Sequence, residues 1–412
     1  MWFLYYAAIY ILVLGIRIAS LWNAKSRAWI KGRKGWKKRL ENLPSKNAYR
    51  IWFHVSSLGE FEQAKPVIET IKMKRPEVEI ILSFFSPSGY NAKAGYAHAE
   101  VHYLPPDLPG HAALWANLIK PDLAVFVKYD LWPGYLRALH DNGIPAILIS
   151  AHWSSSKKFS SWSLPLTSTL LKKFQRIFFQ RPAELEYFSE KGFQNITVAG
   201  DTRIDRCLLL AAEAGERLPK EILAEHPFDI VAGSTWPQDE ELIIEAIRQR
   251  GLRAIIAPHD VSYDNIRRLV SKFTFPSQLL SDLNNTGPVS GVIVVDSIGL
   301  LPVLYAVGKV AYVGGGFGRC IHNILEPAAH GKPVIFGPHY DGFPEAIEMI
   351  KLGCARSVKD KVEFMNALSE FSMDGKFVSA GRISHEYLLR NAGATRIVTD
   401  YILESIPYGI KE

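Results

Sequence analysis

From residue 50 onward the chain alternates short apolar runs with longer segments whose apolar side chains recur every three or four positions. A short apolar run closed by turn residues reads as a buried strand, whereas Ala64, Val67, Ile68 and Ile71 have the spacing of one helix face. The pattern predicts strands over 51–55, 79–83, 101–104, 123–127, 146–150, 177–180 and 197–199. It resumes with strands over 229–232, 254–257, 292–295, 309–313, 333–336 and 355–357. Strands and helices taken in turn predict parallel sheets with helices on both faces, an α/β fold of two Rossmann-like halves. The stretch 201–227 is helical and polar, and the hinge between the halves is expected there.

The first sixteen residues break this alternation. They carry no charge, and all are apolar or aromatic except Gly15. At ~1.5 Å per residue they cover about 24 Å, short of the ~30 Å of a bilayer's hydrocarbon. Continuing through Arg17 to Ala24 reaches across, with Arg17 snorkelling. Nine basic residues and no acidic one lie between Arg17 and Leu40. Without them the remaining 39 basic residues nearly balance the 41 acidic ones, so the net charge of +7 is a local feature. An apolar leader beside a basic cluster fits a membrane anchor whose cations face the cytoplasm and anionic lipid. A single span and a half-buried helix both satisfy the pattern. No basic stretch precedes the leader and no small-x-small cleavage site follows it, which disfavours a secretory signal. The leader also favours a bilayer over nucleic acid as the partner of the cluster. The plainer alternative is a helix packed into a core.

A length of 412 residues favours two domains, and 48% apolar with 22% charged residues is ordinary globular composition. Cys207, Cys320 and Cys354 are odd in number and far apart, which points to a reducing compartment rather than a disulfide framework. No Cys-x-x-Cys, His-Glu-x-x-His or Asp-x-Asp occurs, and no Gly-Lys is followed by Ser or Thr. Neither a metal site nor a Walker-type phosphate loop is expected. His322, His330 and His339 stand eight and nine residues apart with a predicted strand between them, a poor metal-binding pattern.

Residues 310–339 carry the densest chemistry. A short strand runs into Gly314, Gly315 and Gly316, a helix is expected from near Asn323, and a second strand follows Gly331. Glycines let a backbone approach a ligand closely, and a helix start offers free N–H groups to an anion. Glu326, in the first turn, is placed to accept from ribose hydroxyls. The pattern reads as a nucleotide-sugar pocket. A second motif, His54-Val55-Ser56-Ser57-Leu58-Gly59-Glu60, follows the first strand and opens the first long helix. Ligands of open α/β sheets bind beyond the carboxyl ends of strands, so Glu60 points toward the expected cleft. It is either a general base for an attacking hydroxyl or a complement to the helix dipole. Gly59 is expected to permit a close turn, and Ser56 or Ser57 to cap the helix. Two nucleotide-fold-like halves facing a cleft point to the GT-B glycosyltransferase architecture.

These residues resemble the bacterial Kdo transferases (3-deoxy-D-manno-octulosonic acid transferases, glycosyltransferase family 30), and the resemblance spans nearly the whole chain. Ser56-Ser57-Leu58-Gly59-Glu60 is similar to the family's Ser-Val-Gly-Glu, whose Glu is the general base. Asp130-Leu131-Trp132-Pro133 resembles its Glu-Leu-Trp-Pro. Ala232-Gly233-Ser234-Thr235 matches its Ala-Gly-Ser-Thr, and Asn323-Ile324-Leu325-Glu326-Pro327 resembles its Asn-Pro-Leu-Glu-Pro. Pro258 and His259, with Ile298, Gly299 and Leu300, fall where the family also contacts CMP. Three departures stand out. Lys128-Tyr129-Asp130 replaces Glu-x-Glu, reversing one charge beside the acceptor. Pro258-His259-Asp260 replaces Pro-Arg-His, and Gly299-Leu300 replaces Gly-Glu.

The resemblance implies inverting transfer of Kdo from CMP-Kdo to a phosphorylated lipid A precursor at the cytoplasmic leaflet of the inner membrane. No metal, cofactor or nucleic acid takes part. Glu60 is the catalytic residue. Gly233, Ser234, Thr235, Pro258, His259, Ile298, Gly299, Leu300, Asn323, Ile324, Leu325 and Glu326 hold the donor. Ser57, Gly59, Lys128, Asp130 and Trp132 line the acceptor side. The expected domain plan is an anchor over 1–24, a basic juxtamembrane segment over 25–49, an acceptor-side domain over 50–205 and a nucleotide-sugar domain over 206–374. Terminal helices over 375–412 cross back to the first domain. Arg203 is either a cation near the cleft or a partner in a surface salt bridge. Trp153, Phe159 and Trp162 beside Lys157 and Lys158 form either an acceptor-facing patch or ordinary core. The competing activities are a GT-B transferase using a UDP-sugar on a lipid and an inactive membrane-bound carbohydrate-binding protein. A sugar-nucleotide epimerase has little use for a membrane leader.

Overall fold

The computed structural model describes residues 2–153, 164–223, 227–283, 291–373 and 375–407. The chain forms two compact units, one of Met1–Arg203 with Gly393–Glu412 and one of Ile204–Ala392.

The first unit opens with α1 (Trp2–Ala19), α2 (Ala24–Arg33) and α3 (Trp36–Glu41). Its sheet contains β1 (Arg50–Val55), β2 (Glu79–Phe84), β3 (Glu100–Tyr103), β4 (Leu123–Val127), β5 (Ala146–Ala151), β6 (Arg176–Phe179) and β7 (Ile196–Val198). Their order is β3-β2-β1-β4-β5-β6-β7, parallel throughout. Every residue of β1, β4 and β5 is buried, because helices cover both faces of a parallel sheet. On one face lies α4 (Leu58–Lys74), whose Val67, Ile68 and Ile71 share a core with Ala394, Val398 and Ile402 of the helix Ala394–Glu404.

The second unit contains β8 (Phe228–Thr235), β9 (Ala254–Pro258), β10 (Gln278–Leu279), β11 (Val292–Val294), β12 (Gly308–Val313), β13 (Val334–Phe336) and β14 (Ala355–Ser357). The order is β10-β11-β9-β8-β12-β13-β14, again parallel. In both sheets the strand order reverses beside the first strand, between β1 and β4 and between β8 and β12. Such a switch point is where open α/β sheets take ligands.

The domain plan differs from expectation in two places. Residues 375–412 divide rather than crossing back together. The helix Lys376–Asn391 stays in the second unit, where His385 Nδ1 lies 2.9 Å from the Ala329 carbonyl and Gly381 packs on the backbone of Gly331. Only Ala394–Glu404 joins the first unit. Residues 25–49, expected as a basic segment of their own, pack into the first unit. Arg33 is buried, donating to the carbonyls of Leu104 at 2.8 Å and Phe85 at 2.6 Å, and lying over the Trp29 ring. It leaves the cationic face, while Lys25, Arg27, Lys31, Lys34, Lys37, Lys38 and Arg39 remain exposed.

Among the described residues α1 is the one helix long and apolar enough to cross a membrane. Ile9 and Val13 are buried against Trp29, with Tyr5, Ile16, Phe85, Leu108 and Trp132 around them. Phe3, Leu4, Ile11, Leu14, Ile18, Leu21 and Trp22 are exposed. The helix is thus docked by one face and apolar on the other.

Candidate functional site

In the first unit the ground beyond β1 and β4 holds four ionisable side chains. Ser57 caps α4, its Oγ accepting the Glu60 N–H, while Glu60 Oε2 accepts the N–H groups of Ser56 at 2.6 Å and Ser57 at 2.9 Å. This reciprocal capping box gives Glu60 a local, structural role beyond the complement to the helix dipole weighed from sequence. It occupies one carboxylate oxygen; Oε1 has no hydrogen-bond partner among the described residues. Burial pushes the Glu60 pKa above the ordinary carboxylate value, opposed by the Ser56 N–H, the Lys128 charge and Ser57.

Asp130 stands beside it. Its Oδ1 accepts from Ser56 Oγ at 2.7 Å, and its Oδ2 lies 3.3 Å from His54 Nε2, out of hydrogen-bond alignment. Burial first, then the Glu60 charge, push the Asp130 pKa up to about 7. His54 is fully buried, and desolvation lowers its pKa to about 3, so the ring is neutral. Its Nδ1 lies 2.8 Å from Ser83 Oγ, which also accepts from Trp52 Nε1 at 2.8 Å. Lys128 takes a left-handed backbone, φ +63°, as the chain turns off β4. Ser57, Glu60, Lys128 and Asp130 are therefore brought together, and His54 and Ser83 are additions that sequence reasoning missed. A histidine inside an otherwise apolar strand was the available signal.

The close turn expected at Gly59 is absent, and Trp132 is placed by ring packing. Gly59 lies inside α4 with ordinary helical geometry, and a Cβ there would meet only Ser57 Oγ at 3.9 Å, so no turn demands glycine. Trp132 packs on Phe85 at 4.8 Å and edge-on to His54 at 6.3 Å, which makes it a wall behind Asp130. Arg203 pairs with Asp201 at 2.6 Å, the salt-bridge alternative. Trp153 donates its N–H to Glu184 Oε1 at 2.8 Å and packs edge-on to Phe188. The rest of its expected patch, residues 157–162, lies outside the described residues.

In the second unit the loops after β8, β9 and β12 meet. At Gly233 an added Cβ would collide with the Tyr305 hydroxyl. Gly314 and Gly316 likewise face protein backbone, at Ser234 and at Gly337. Ser234 turns with φ +54°, and Thr235 is buried with its Oγ1 unpartnered. The Thr235 carbonyl accepts the His259 N–H at 2.9 Å. Trp236 and His322 both stack on the His259 ring, at 4.7 and 4.6 Å, and Trp236 Nε1 donates to His322 Nε2 at 3.2 Å. Desolvation lowers the His322 pKa to about 4, which keeps its acceptor nitrogen free of a proton. Asp239, fully buried and missed from sequence, ties these loops together. Its Oδ1 accepts from the Tyr312 hydroxyl at 2.6 Å, and its Oδ2 from the N–H groups of Trp236 at 2.8 Å and Gly315 at 3.0 Å.

The helix expected from near Asn323 begins at Leu325 and ends at Ala329, a single turn with little dipole. Its first N–H is taken by Asn323 Oδ1 at 3.1 Å, and Asn323 Nδ2 donates to Glu326 Oε1 at 3.1 Å. Ile324 and Leu325 are buried and leave only backbone for a ligand. Pro258 closes β9, Ile298 is exposed, Gly299 has φ +107°, and Leu300 precedes the helix Leu301–Leu304. His330 Nε2 lies 2.7 Å from the Pro302 carbonyl, and the backbone N–H of His339 donates to the Gly316 carbonyl. Among the described residues no group of three or more His, Cys, Asp or Glu is placed to hold a metal.

Two parallel seven-stranded sheets, each with a switch point beside its first strand, give the chain a GT-B fold. The solved calicheamicin glycosyltransferase is 14% identical, with a TM-score of 0.55 over 89% of this chain and 100% of that one. UDP-GlcNAc 2-epimerase from Methanocaldococcus jannaschii is 12% identical, with a TM-score of 0.53 over 85% and 99%. At such identities the likeness is one of fold alone. The family model described as 3-deoxy-D-manno-octulosonic-acid transferase (kdotransferase) matches residues 34–206. The 3-deoxy-D-manno-octulosonic acid transferase of Aquifex aeolicus is 28% identical over 346 residues, 82% of this chain and 90% of the relative. Over most of its length the chain is similar to 3-deoxy-D-manno-octulosonic acid transferases.

Proposed function

We propose that the chain moves Kdo from CMP-Kdo to a phosphorylated lipid A precursor in lipopolysaccharide core biosynthesis, with inversion and with Glu60 as general base. The observation that carries this reading is Glu60 itself. It is a carboxyl in the first turn of α4, just beyond β1, with one oxygen free of hydrogen bonds among the described residues, its proton affinity raised by burial and trimmed by the Ser56 N–H and Lys128. The acceptor hydroxyl oxygen bonds to the sugar's anomeric carbon as the bond from that carbon to the phosphate oxygen breaks. The electron pair leaves with CMP, and the hydroxyl proton passes to Glu60 Oε1. Such base catalysis is worth roughly 10²–10⁴ in rate. Ser234 and Thr235 hold phosphate or carboxylate oxygens, and Glu326, steadied by Asn323, holds the ribose. The rings around His259 offer a flat face to the base, and Pro258 and Ile298–Leu300 add backbone contacts.

The outer face of α1 sits in the cytoplasmic leaflet of the inner membrane. The exposed cations of α2 and α3 add about 1 kcal/mol each near an anionic surface. Mass analysis of the product from CMP-Kdo and a tetraacylated lipid A precursor tests donor, acceptor and number of transfers together. Displacement of bound nucleotide by UDP but not CMP would instead favour a UDP-sugar transferase. Donor binding without any product would favour an inactive binding protein.

A further inference from the structure

A helix that only anchors needs an apolar outer face. The inner face of α1 holds something more specific. Tyr5 donates its hydroxyl to Asp107 Oδ2 at 2.6 Å, across 102 residues of sequence. Asp107 is fully buried, and the same oxygen accepts the Gly134 N–H at 2.7 Å. That N–H is one of the unsatisfied donors at the start of the helix Pro133–Asp141. A Cβ on residue 134 would run into the Asp107 carboxyl, so glycine is what admits it. Among the described residues the other carboxyl oxygen, Oδ1, has no hydrogen-bond partner, so these two donors supply the carboxyl's hydrogen bonds.

Gly134 closes the segment that carries Asp130 and Trp132. The Trp132 ring joins Ile9 and Val13 of α1 in one apolar cluster and stands against His54, whose Nε2 is 3.3 Å from Asp130. Asp130 in turn accepts from Ser56, whose N–H binds Glu60. A continuous run of packed rings and hydrogen bonds therefore joins the apolar helix to the carboxylate pair. Such a run is a physical route for coupling, whose strength only perturbation measures.

We infer that Tyr5 and Asp107 are positioning residues for the transfer, and that the lipid-facing helix α1 holds the segment 130–134 in its catalytic place. The inference rests on the reading that Glu60 and Asp130 face the acceptor.

The test uses the full chain in detergent micelles with CMP-Kdo and the tetraacylated precursor, comparing Tyr5→Phe, Asp107→Asn and Asp107→Ala with the parent. Tyr5→Phe loses one hydrogen bond and no ring packing. It is expected to lower kcat about twofold to tenfold. It should also speed amide exchange over residues 130–136. The KM for CMP-Kdo and co-sedimentation with phosphatidylglycerol-containing vesicles should stay unchanged. Asp107→Asn keeps an accepting oxygen and is expected to stay within about twofold of the parent, whereas Asp107→Ala falls further. Parent-like kcat and parent-like exchange in Tyr5→Phe would overturn the inference. So would a loss of transfer that follows vesicle binding step for step, the behaviour of a plain anchor. If the parent transfers no Kdo, the proposed function fails, but the exchange over 130–136 still reports whether Tyr5 holds the segment.

Discussion

Each sheet is followed, after its first strand, by a helix whose third residue is a buried carboxylate folded back on the helix start. In the first unit this is Glu60, and in the second it is Asp239. Both accept the backbone N–H of the residue that precedes their helix. They differ in what is left over. Asp239 fills both oxygens, with the Tyr312 hydroxyl on one and two amides on the other. Glu60 fills one, and a second carboxyl, a cation and a neutral histidine surround the rest. The same local motif thus ties loops together in one unit and, among the described residues, leaves one carboxylate oxygen without a hydrogen bond in the other. What separates the two is the company each carboxylate keeps, not its burial.

The sharpest way to break this contrast is Glu60→Gln, which keeps an oxygen for the Ser56 and Ser57 amides. Transfer should fall about 10²–10⁴-fold while CMP affinity and melting temperature stay near the parent's. A loss below tenfold would leave Glu60 as a cap only. Asp239→Ala is the converse case. Removing the acceptor of three hydrogen bonds should lower unfolding free energy by about 3 kcal/mol or more, and weaken CMP binding with it. Denaturant unfolding and calorimetric titration read the two effects, and an intact fold with intact binding would refute that role.

Asp130→Asn addresses the neighbouring carboxyl. Because the folded-state pKa stands at about 7 against an ordinary 3.8, the folded protein holds that proton the more tightly. The contribution to stability is full below the ordinary value and is lost as pH rises through the raised one. The variant should therefore match the parent's melting temperature near pH 4 and exceed it increasingly toward pH 8. A difference that shrinks with rising pH would contradict the assignment. Gly59→Ala is the gentlest probe. Stability should hold or rise by up to about 1 kcal/mol, since alanine suits a helix better than glycine. A drop in kcat/KM for the lipid with unchanged stability would mark residue 59 as a place where the acceptor approaches. Unchanged kcat/KM would remove it from the acceptor side.

The strands were legible because residues buried on both faces of a parallel sheet form unbroken apolar runs, as in β1 and β4. The edge strand β10 escaped, since Gln278–Leu279 is too short to show a pattern. Glu60 was legible because it opens the first long helix directly after β1, beyond the carboxyl end of a strand. The bond from Ser56 to Asp130 spans 74 residues and arises only when β1 pairs with β4, so spacing along the chain does not reveal it. Asp239 was missed because its helix, Pro237–Arg250, is preceded at the cap by Trp236, which lacks the capping side chain that advertises such a carboxylate. Gly233 and Gly314, read from sequence as room for a ligand, also have neighbours within the protein that a Cβ would meet, the Tyr305 hydroxyl and the Ser234 backbone. From sequence alone, a glycine that admits a phosphate and one that admits a tyrosine hydroxyl or a strand look alike.

The helix Ala394–Glu404 fills the core face of α4 although more than three hundred residues separate them in the chain. While the polypeptide emerges from the ribosome, the first unit has its sheet long before its last helix. Until residues 394–406 leave the exit tunnel, the groove over Val67, Ile68 and Ile71 stays uncovered and open to chaperones or to aggregation. A nonsense mutation near codon 392 would spare every residue discussed at either switch point and still leave the amino-terminal half unfinished.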